Sequence, residues 1–152
     1  MQEPPYKLLF GSLTALAFLI VGTANAAGDR MLNTKLEETI AKVRIEESLT
    51  ARTDAAEHLA ELTRGVNPKS VYDKTVADMV SLLDAPDDSV RAWVAAALGN
   101  LGRRAKVAVP KLLALLPEAD CLQGDLTSAA SIRPALRRMG VKPPPFKAQG
   151  CK

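Results

Sequence analysis

Between Ser70 and Gly102 the chain twice places its apolar residues at helical spacing, with one sharp break between the runs. The first run, SVYDKTVADMVSLLDAPDD, carries Tyr72, Val76, Met79, Val80 and Leu83 three or four positions apart, the spacing of one helix face. Asp84-Ala85-Pro86-Asp87-Asp88 interrupts it. Pro86 disfavours helical backbone at Ala85, and the acidic residues suit the positive start of a following helix. In the second run, SVRAWVAAALGNLG, Ser89 or Asp88 can cap the helix. Val90, Val94, Ala97, Leu98 and Leu101 form one stripe, and Gly102 is a good stop. These features predict an antiparallel helical hairpin of about 33 residues. A hairpin of that size cannot bury its apolar face alone, so the pattern demands neighbours of the same kind, about three in all.

Neighbours are legible on both sides. A shift of 39 residues lays Arg52 on Arg91, Ala56 on Ala95, Leu59 on Leu98 and Leu62 on Leu101. The earlier unit has Ala55, Leu59, Leu62 and Val66 on the inner stripe of its second helix, and Leu32, Leu36, Ile40 and Val43 on its first. It is divergent, as a terminal repeat should be. A later unit carries Val109, Leu112, Leu113 and Leu116 on one helix, which Pro117 is expected to end. A longer loop, PEADCLQGD, then leads to a helix with Ile132, Leu136 and Met139, stopped at Gly140. Pro134 implies that this last helix starts near Ser131 or is kinked. Aromatic residues make up only 4% of the chain, so Ala and Leu supply the core, which suits close helix packing and gives little material for strands.

The stretch LLDAPDDSVRAWVAAALGNLGRRAKVAVPKLLALL, from Leu82 to Leu116, resembles the HEAT-repeat family, in particular the short HEAT-like type first associated with phycobilin lyases. The residues that carry the resemblance are Val90-Arg91, Ala95-Ala96, Ala97-Leu98-Gly99, Leu101-Gly102, then Ala108-Val109-Pro110 with Leu112, Leu113, Leu115 and Leu116. Small side chains at 95 to 97 and at Gly99 let helices approach closely, and Pro110 fits an early helical position. The family usually sets an Asp five residues before the Val of Val-Arg, to pair with the Arg of an adjacent repeat. Here that slot holds Ala85, with Asp84 and Asp87 nearby. The resemblance implies an all-α fold, a short α-solenoid of about three HEAT-like hairpins, over approximate units 31–66, 70–103 and 106–140 of a domain spanning 27–140.

The segments outside that domain point to export. Residues 1–26 begin with a short stretch bearing Lys7, continue as the apolar run Leu8 to Gly22, and close on Ala24-Asn25-Ala26, the layout of a secretory signal peptide. The run is about 15 residues against the roughly 20 of a spanning helix, so no membrane span is expected after cleavage. Residues 141–152 form a Pro-rich tail, extended at Pro143-Pro144-Pro145. A periplasmic or secreted location follows. In an oxidising compartment the only two cysteines, Cys121 and Cys151, are expected to pair. That bond would fold the tail over the last hairpin; free or intermolecularly paired thiols are the alternative. Residues 27–102 hold 9 Lys/Arg against 13 Asp/Glu, and residues 103–152 hold 10 against 3. This asymmetry is read either as an ordinary solvated surface, or as a basic end for an acidic partner or for contact between copies. The basic part has no interleaved aromatics and no nucleic-acid motif, so nucleic acid is not an expected partner.

Nothing in the chain assembles a catalytic or metal constellation. His58 is the only histidine and reads as a surface residue beside Glu61. Gly99 and Gly102 are repeat glycines, not a phosphate loop, and the pairs Glu37-Glu38, Glu46-Glu47 and Asp87-Asp88 point about 100° apart on a helix. No cofactor, metal or enzymatic activity is therefore expected. Arg52 and Arg91 either bond a loop or acidic group of the next repeat or present cations to a partner. Trp93, the only tryptophan, either packs at the stripe edge or forms a partly exposed hot spot. The expected function is a protein-binding scaffold or adaptor of the cell envelope, with Arg52, His58, Arg91 and Trp93 as candidate contacts for a protein or peptide. A small structural subunit of an envelope complex is the alternative, and a lyase-like enzyme the remote one.

Overall fold

The structure is a computed structural model that describes residues 13–122 and 127–146, with side chains from residue 26 onward. Among these residues it is all-helical, without a strand. The helices are α1 (Leu13–Ile45), α2 (Leu49–Thr63), α3 (Asp73–Ser81), α4 (Asp88–Asn100), α5 (Val109–Ala119) and α6 (Ser128–Arg138). Short 3-10 turns lie at Pro68–Ser70, Leu82–Asp84 and Gly102–Ala108. None of the helices among the described residues is long and apolar enough to cross a membrane.

The hydrophobic stripes place α4 at the centre. Val90, Val94, Ala95, Ala97, Leu98 and Gly99 are all buried, so this helix has core on more than half of its circumference. α2 packs along one side of it and α6 along the other, while α1 lies on α2 and α5 on α6. One continuous apolar cluster joins Leu36, Ile40 and Val43 of α1 to Leu59 of α2, Met79 of α3, Leu112 and Leu116 of α5, and Ile132 and Leu136 of α6. Burial of each such aliphatic side chain contributes about 1.5–3 kcal/mol.

Small residues set the spacing of this packing. A Cβ added to Gly99 would lie 2.9 Å from the Ala135 Cβ and 3.0 Å from its Cα, so α4 and α6 touch backbone to backbone at this point. At their C-terminal ends α2, α4 and α6 are closed by glycines in the same position, although the residue before the glycine is extended after α2 and helical after α4 and α6. Each is followed by one further residue and then a left-handed glycine: Gly65 (φ 71°), Gly102 (φ 54°) and Gly140 (φ 84°). After α6 the Val141 amide donates to the Leu136 carbonyl at 2.9 Å and the Gly140 amide to the Arg137 carbonyl at 3.0 Å, the doubled bond of a Schellman stop.

Several local expectations are corrected. The first helix starts well before residue 31, because 13–30 contains no proline and is rich in Ala and Leu. Its course runs through the expected cleavage site. Tyr72 is not on the inner stripe; it precedes the first turn of α3 and is exposed, and Val71 and Thr75 are buried instead. Neither Ser89 nor Asp88 caps α4: Asp87 holds the cap position without a side-chain bond to the helix. Pro117 does not end α5, which runs two residues further. α6 starts at Ser128 rather than near Ser131, so of the two expected arrangements it takes the one with Pro134 in its interior. Pro134 leaves the carbonyl of Ala130 without its helical donor, and Ala130 is exposed, where water can replace it.

Candidate interaction face

The helices α2, α4 and α6 form a parallel row, and polar side chains fix its level at both ends. At the N-terminal end the Arg52 guanidinium donates to Asp87 through Nε at 3.0 Å. Its Nη1 also donates to the carbonyls of Glu46 and Glu47, each at 3.0 Å. The hydroxyls of Thr53 and Ser89 bond at 3.0 Å. On the other side of α4, Asp88 accepts from the backbone N–H of Ser128 at 2.9 Å and also from the Ser128 hydroxyl. Thr127, at the cap position of α6, makes no side-chain bond to the helix; a carboxylate from the neighbouring helix does the capping.

At the C-terminal end Asn100 joins all three helices. Its Nδ2 donates to the Ala60 carbonyl at 2.9 Å and to the Thr63 hydroxyl at 3.3 Å. Its Oδ1 accepts from Arg138 at 3.2 Å. The side-chain ends of Thr63, Asn100 and Arg138 therefore meet across the row.

Arg91 repeats the behaviour of Arg52. Each donates to the carbonyl six residues before it, in the connection between the two helices of its own pair: Glu46 for Arg52, Ala85 for Arg91 at 3.3 Å. Each also reaches an acid further along the chain, Asp87 and Glu118 respectively, the latter at 3.2 Å. The two guanidiniums, with side chains 24% and 11% exposed, are thus engaged within the chain. Asp84 pairs with Lys111 instead. Inter-unit polar links exist, and the acids that carry them include Asp84, Asp87 and Glu118.

The outward side of the row carries the remaining candidates. On α4 the positions turned away from the core are Ser89, Trp93, Ala96 and Asn100, all half-buried, at spacings of four, three and four. Trp93 packs against the hydrophobic cluster from this edge. On α2 the outward positions are Asp54, Glu57, His58 and Glu61. His58 Nδ1 stands 3.5 Å from Glu61 Oε2, both side chains being well exposed. On α6 they include Ser131, Pro134, Arg137 and Arg138. Of the four residues singled out by sequence, only Trp93 and His58 therefore look outward, on neighbouring helices.

No protein-family model, curated protein or solved structure matches this chain.

The remaining titratable groups are arranged structurally. Among the described residues no group of three or more His, Cys, Asp or Glu side chains could hold a metal ion. Lys74 and Arg44 both bond Asp78, at 2.6 and 3.1 Å. The hydrogen bonds from Lys74, then from Arg44, hold the Asp78 carboxyl below its ordinary value, and the same contact raises Lys74. A shallow cleft of about 330 Å³ beside this pair is lined by Val43, Arg44, Arg52, Leu82, Pro86 and Asp87. Cys121 is exposed just after α5, and the other half of its expected disulfide, Cys151, lies outside the described residues.

Sequence reasoning missed the polar pins. Asn33, 2% exposed, donates to the carbonyls of Asp29 and Ser70 and accepts from the Tyr72 amide and the Thr75 hydroxyl. It locks α1 to the start of α3. The available signal was an asparagine in the buried arc of an otherwise apolar stripe, beside Leu32 and Leu36. Arg133 was missed too: it bonds Asp120 at 3.2 Å and the Pro144 carbonyl at 2.7 Å, and its guanidinium lies 5.9 Å from the Phe146 ring centroid. The start of the tail is thereby folded back along α6.

Proposed function

We propose that this chain is an exported repeat scaffold, a short α-solenoid of three HEAT-like hairpins (α1–α2, α3–α4, α5–α6), which binds a protein partner outside the cytoplasm through the outward face of α2, α4 and α6. The observation that carries this reading is the row itself. Three second helices lie side by side, are each followed by a left-handed glycine at Gly65, Gly102 and Gly140, and are linked in turn by polar side chains, Arg52 to Asp87 and Asp88 to Ser128. Such a row makes a rigid, extended surface, the usual working part of a stacked-repeat protein. The half-buried Trp93 at its middle is the residue type most enriched where binding energy concentrates.

Export rests on the tripartite leader, and the Cys121–Cys151 disulfide is part of the same proposal. It would hold the tail that Arg133 already draws back along α6. Arg52 and Arg91 serve this scaffold by setting the spacing of its units, and Trp93 and His58 face the partner. The test is cross-linking and capture from an envelope fraction with wild-type and Trp93→Ala protein side by side. The reading expects a specific captured protein, lost with Trp93→Ala while the helical melt moves by only a few degrees. Capture unchanged by Trp93→Ala would refute the face assignment. Intact mass of the exported protein should show loss of residues 1–26 and, without reductant, two fewer hydrogens than the free dithiol.

A further inference from the structure

We infer that the α2–α4–α6 face is self-complementary and pairs with a second copy of this chain about a two-fold axis parallel to α4. The inference rests on the scaffold reading above and names its partner. Three observations carry it.

The first is the order of charge across the row. The outward positions of α2 are acidic, with Asp54, Glu57 and Glu61 around His58. Those of α4 are uncharged: Ser89, Trp93, Ala96 and Asn100. Those of α6 are basic, with Arg137 and Arg138 exposed and no acidic side chain among them. A two-fold axis running along the middle helix carries the left edge of one copy onto the right edge of the other. It lays acidic α2 on basic α6, twice, with neutral α4 on neutral α4. A symmetric interface must match a patch to itself in this way.

The second is the level of the charges along the helices. The axis keeps α2 of one copy parallel to α6 of the other, so residues must match in height. The side-chain ends of Thr63, Asn100 and Arg138 meet by hydrogen bonds, and Gly99 lies against Ala135, so the last turns of the three helices share one end of the row. Glu61, two residues before Thr63, therefore falls beside the partner's equivalent of Arg137 and Arg138, within reach of their side chains.

The third is Trp93. It sits on the central helix, so the axis brings it towards its own counterpart, a large aromatic pair at the centre of the contact with the charges at the rim. The row is about 20 Å long for helices of this length and three helices wide at about 9 Å spacing. That gives about 500–600 Å² per partner, below the usual stable interface, a size that suits a weak dimer in equilibrium with its monomer.

The experiment uses the chain expressed in full and purified as the host processes it. Sedimentation equilibrium should give a monomer–dimer equilibrium that weakens with added salt. Trp93 is the only tryptophan, so its emission should shift to the blue along the same concentration curve. Glu61→Arg and Arg137→Glu should each weaken the dimer about tenfold or more, since every substitution acts at two symmetric places. The double variant should recover most of that loss. Neither side chain holds the fold: among the described residues that of Glu61 meets only His58, and Arg137 is exposed. A monomer well above micromolar concentration overturns the inference, and so does a dimer indifferent to both charge changes. A monomer that still captures an envelope protein through Trp93 would overturn self-association while leaving the scaffold reading standing.

Discussion

On its α6 side α4 offers Gly99 and Asp88; on its α2 side it offers Asp87, Ser89 and Asn100. The α6 junction is closed by steric fit, with Gly99 against the Ala135 backbone, and by a carboxylate that caps the neighbouring helix. The α2 junction is held by several exchanged polar contacts, each partly open to water. A junction with no free space fails at one atom, whereas a junction of many modest bonds loses them one at a time. The contrast also gives Gly99, at the end of the small-residue run, its reason: it is the point of the α6 contact.

The sharpest break should come at Gly99. Gly99→Val would drive two methyl groups into Ala135, and overpacking of this kind costs about 3 kcal/mol. Gly99→Ala should cost less, about 1–2 kcal/mol, because alanine regains about 1 kcal/mol of helix propensity. Chemical denaturation reads both. A stabilised Gly99→Ala would show that α6 can step back freely.

Asp88→Ala comes next. It leaves the Ser128 N–H and hydroxyl, both in a buried residue, without their carboxylate, at about 2 kcal/mol. Its signature is local, with faster amide exchange at the start of α6 and little change in α2. On the other side, Arg52→Ala should cost about 1 kcal/mol and should loosen α2 without disturbing Gly99, and Asn100→Ala should cost about 1 kcal/mol while releasing both Thr63 and Arg138. If either costs as much as Gly99→Val, the contrast between the junctions is wrong.

The smallest effect belongs to the surface pair at Asp78. Its carboxyl is held below its ordinary value of 3.8 in the folded chain, by Lys74 and then Arg44. That contribution is present above the unfolded value and is lost as pH falls through the lowered folded value. The pH window therefore lies below about 4. Asp78→Asn should lower the melting temperature by no more than about 2 °C at pH 7 and flatten the stability profile only in that acid range.

Helix existence was legible because apolar spacing is a local property. Val90, Val94, Leu98, Leu112, Leu116, Ile132 and Leu136 all lie where periodicity put them, in the core. The 39-residue shift also found two arginines with matching bonds. It hid the glycine match, because α2 has 15 residues and α4 has 13. The helix starts are therefore 39 apart but the stops, Gly65 and Gly102, only 37. What stayed illegible was polar partnership. Asp87 and Asp88 both suit a helix start, and only the packed structure sends one to Arg52 and the other to Ser128. The same holds for Pro117, exposed, and Pro134, half-buried, both tolerated within short helices. At the candidate face, Trp93 and His58 could be placed on exposed edges by spacing, but the charge order across α2, α4 and α6 required the helices to be set side by side.

The α4–α6 crossing places the third helix in the row and so creates the face. A nuclear Overhauser spectrum of the methyl-labelled protein tests it directly. The account predicts a strong cross-peak between the Gly99 α-protons and the Ala135 methyl group, accompanied by one between the Asn100 side-chain amide and Thr63. Assigned resonances for Gly99 and Ala135 with no cross-peak between them would contradict it.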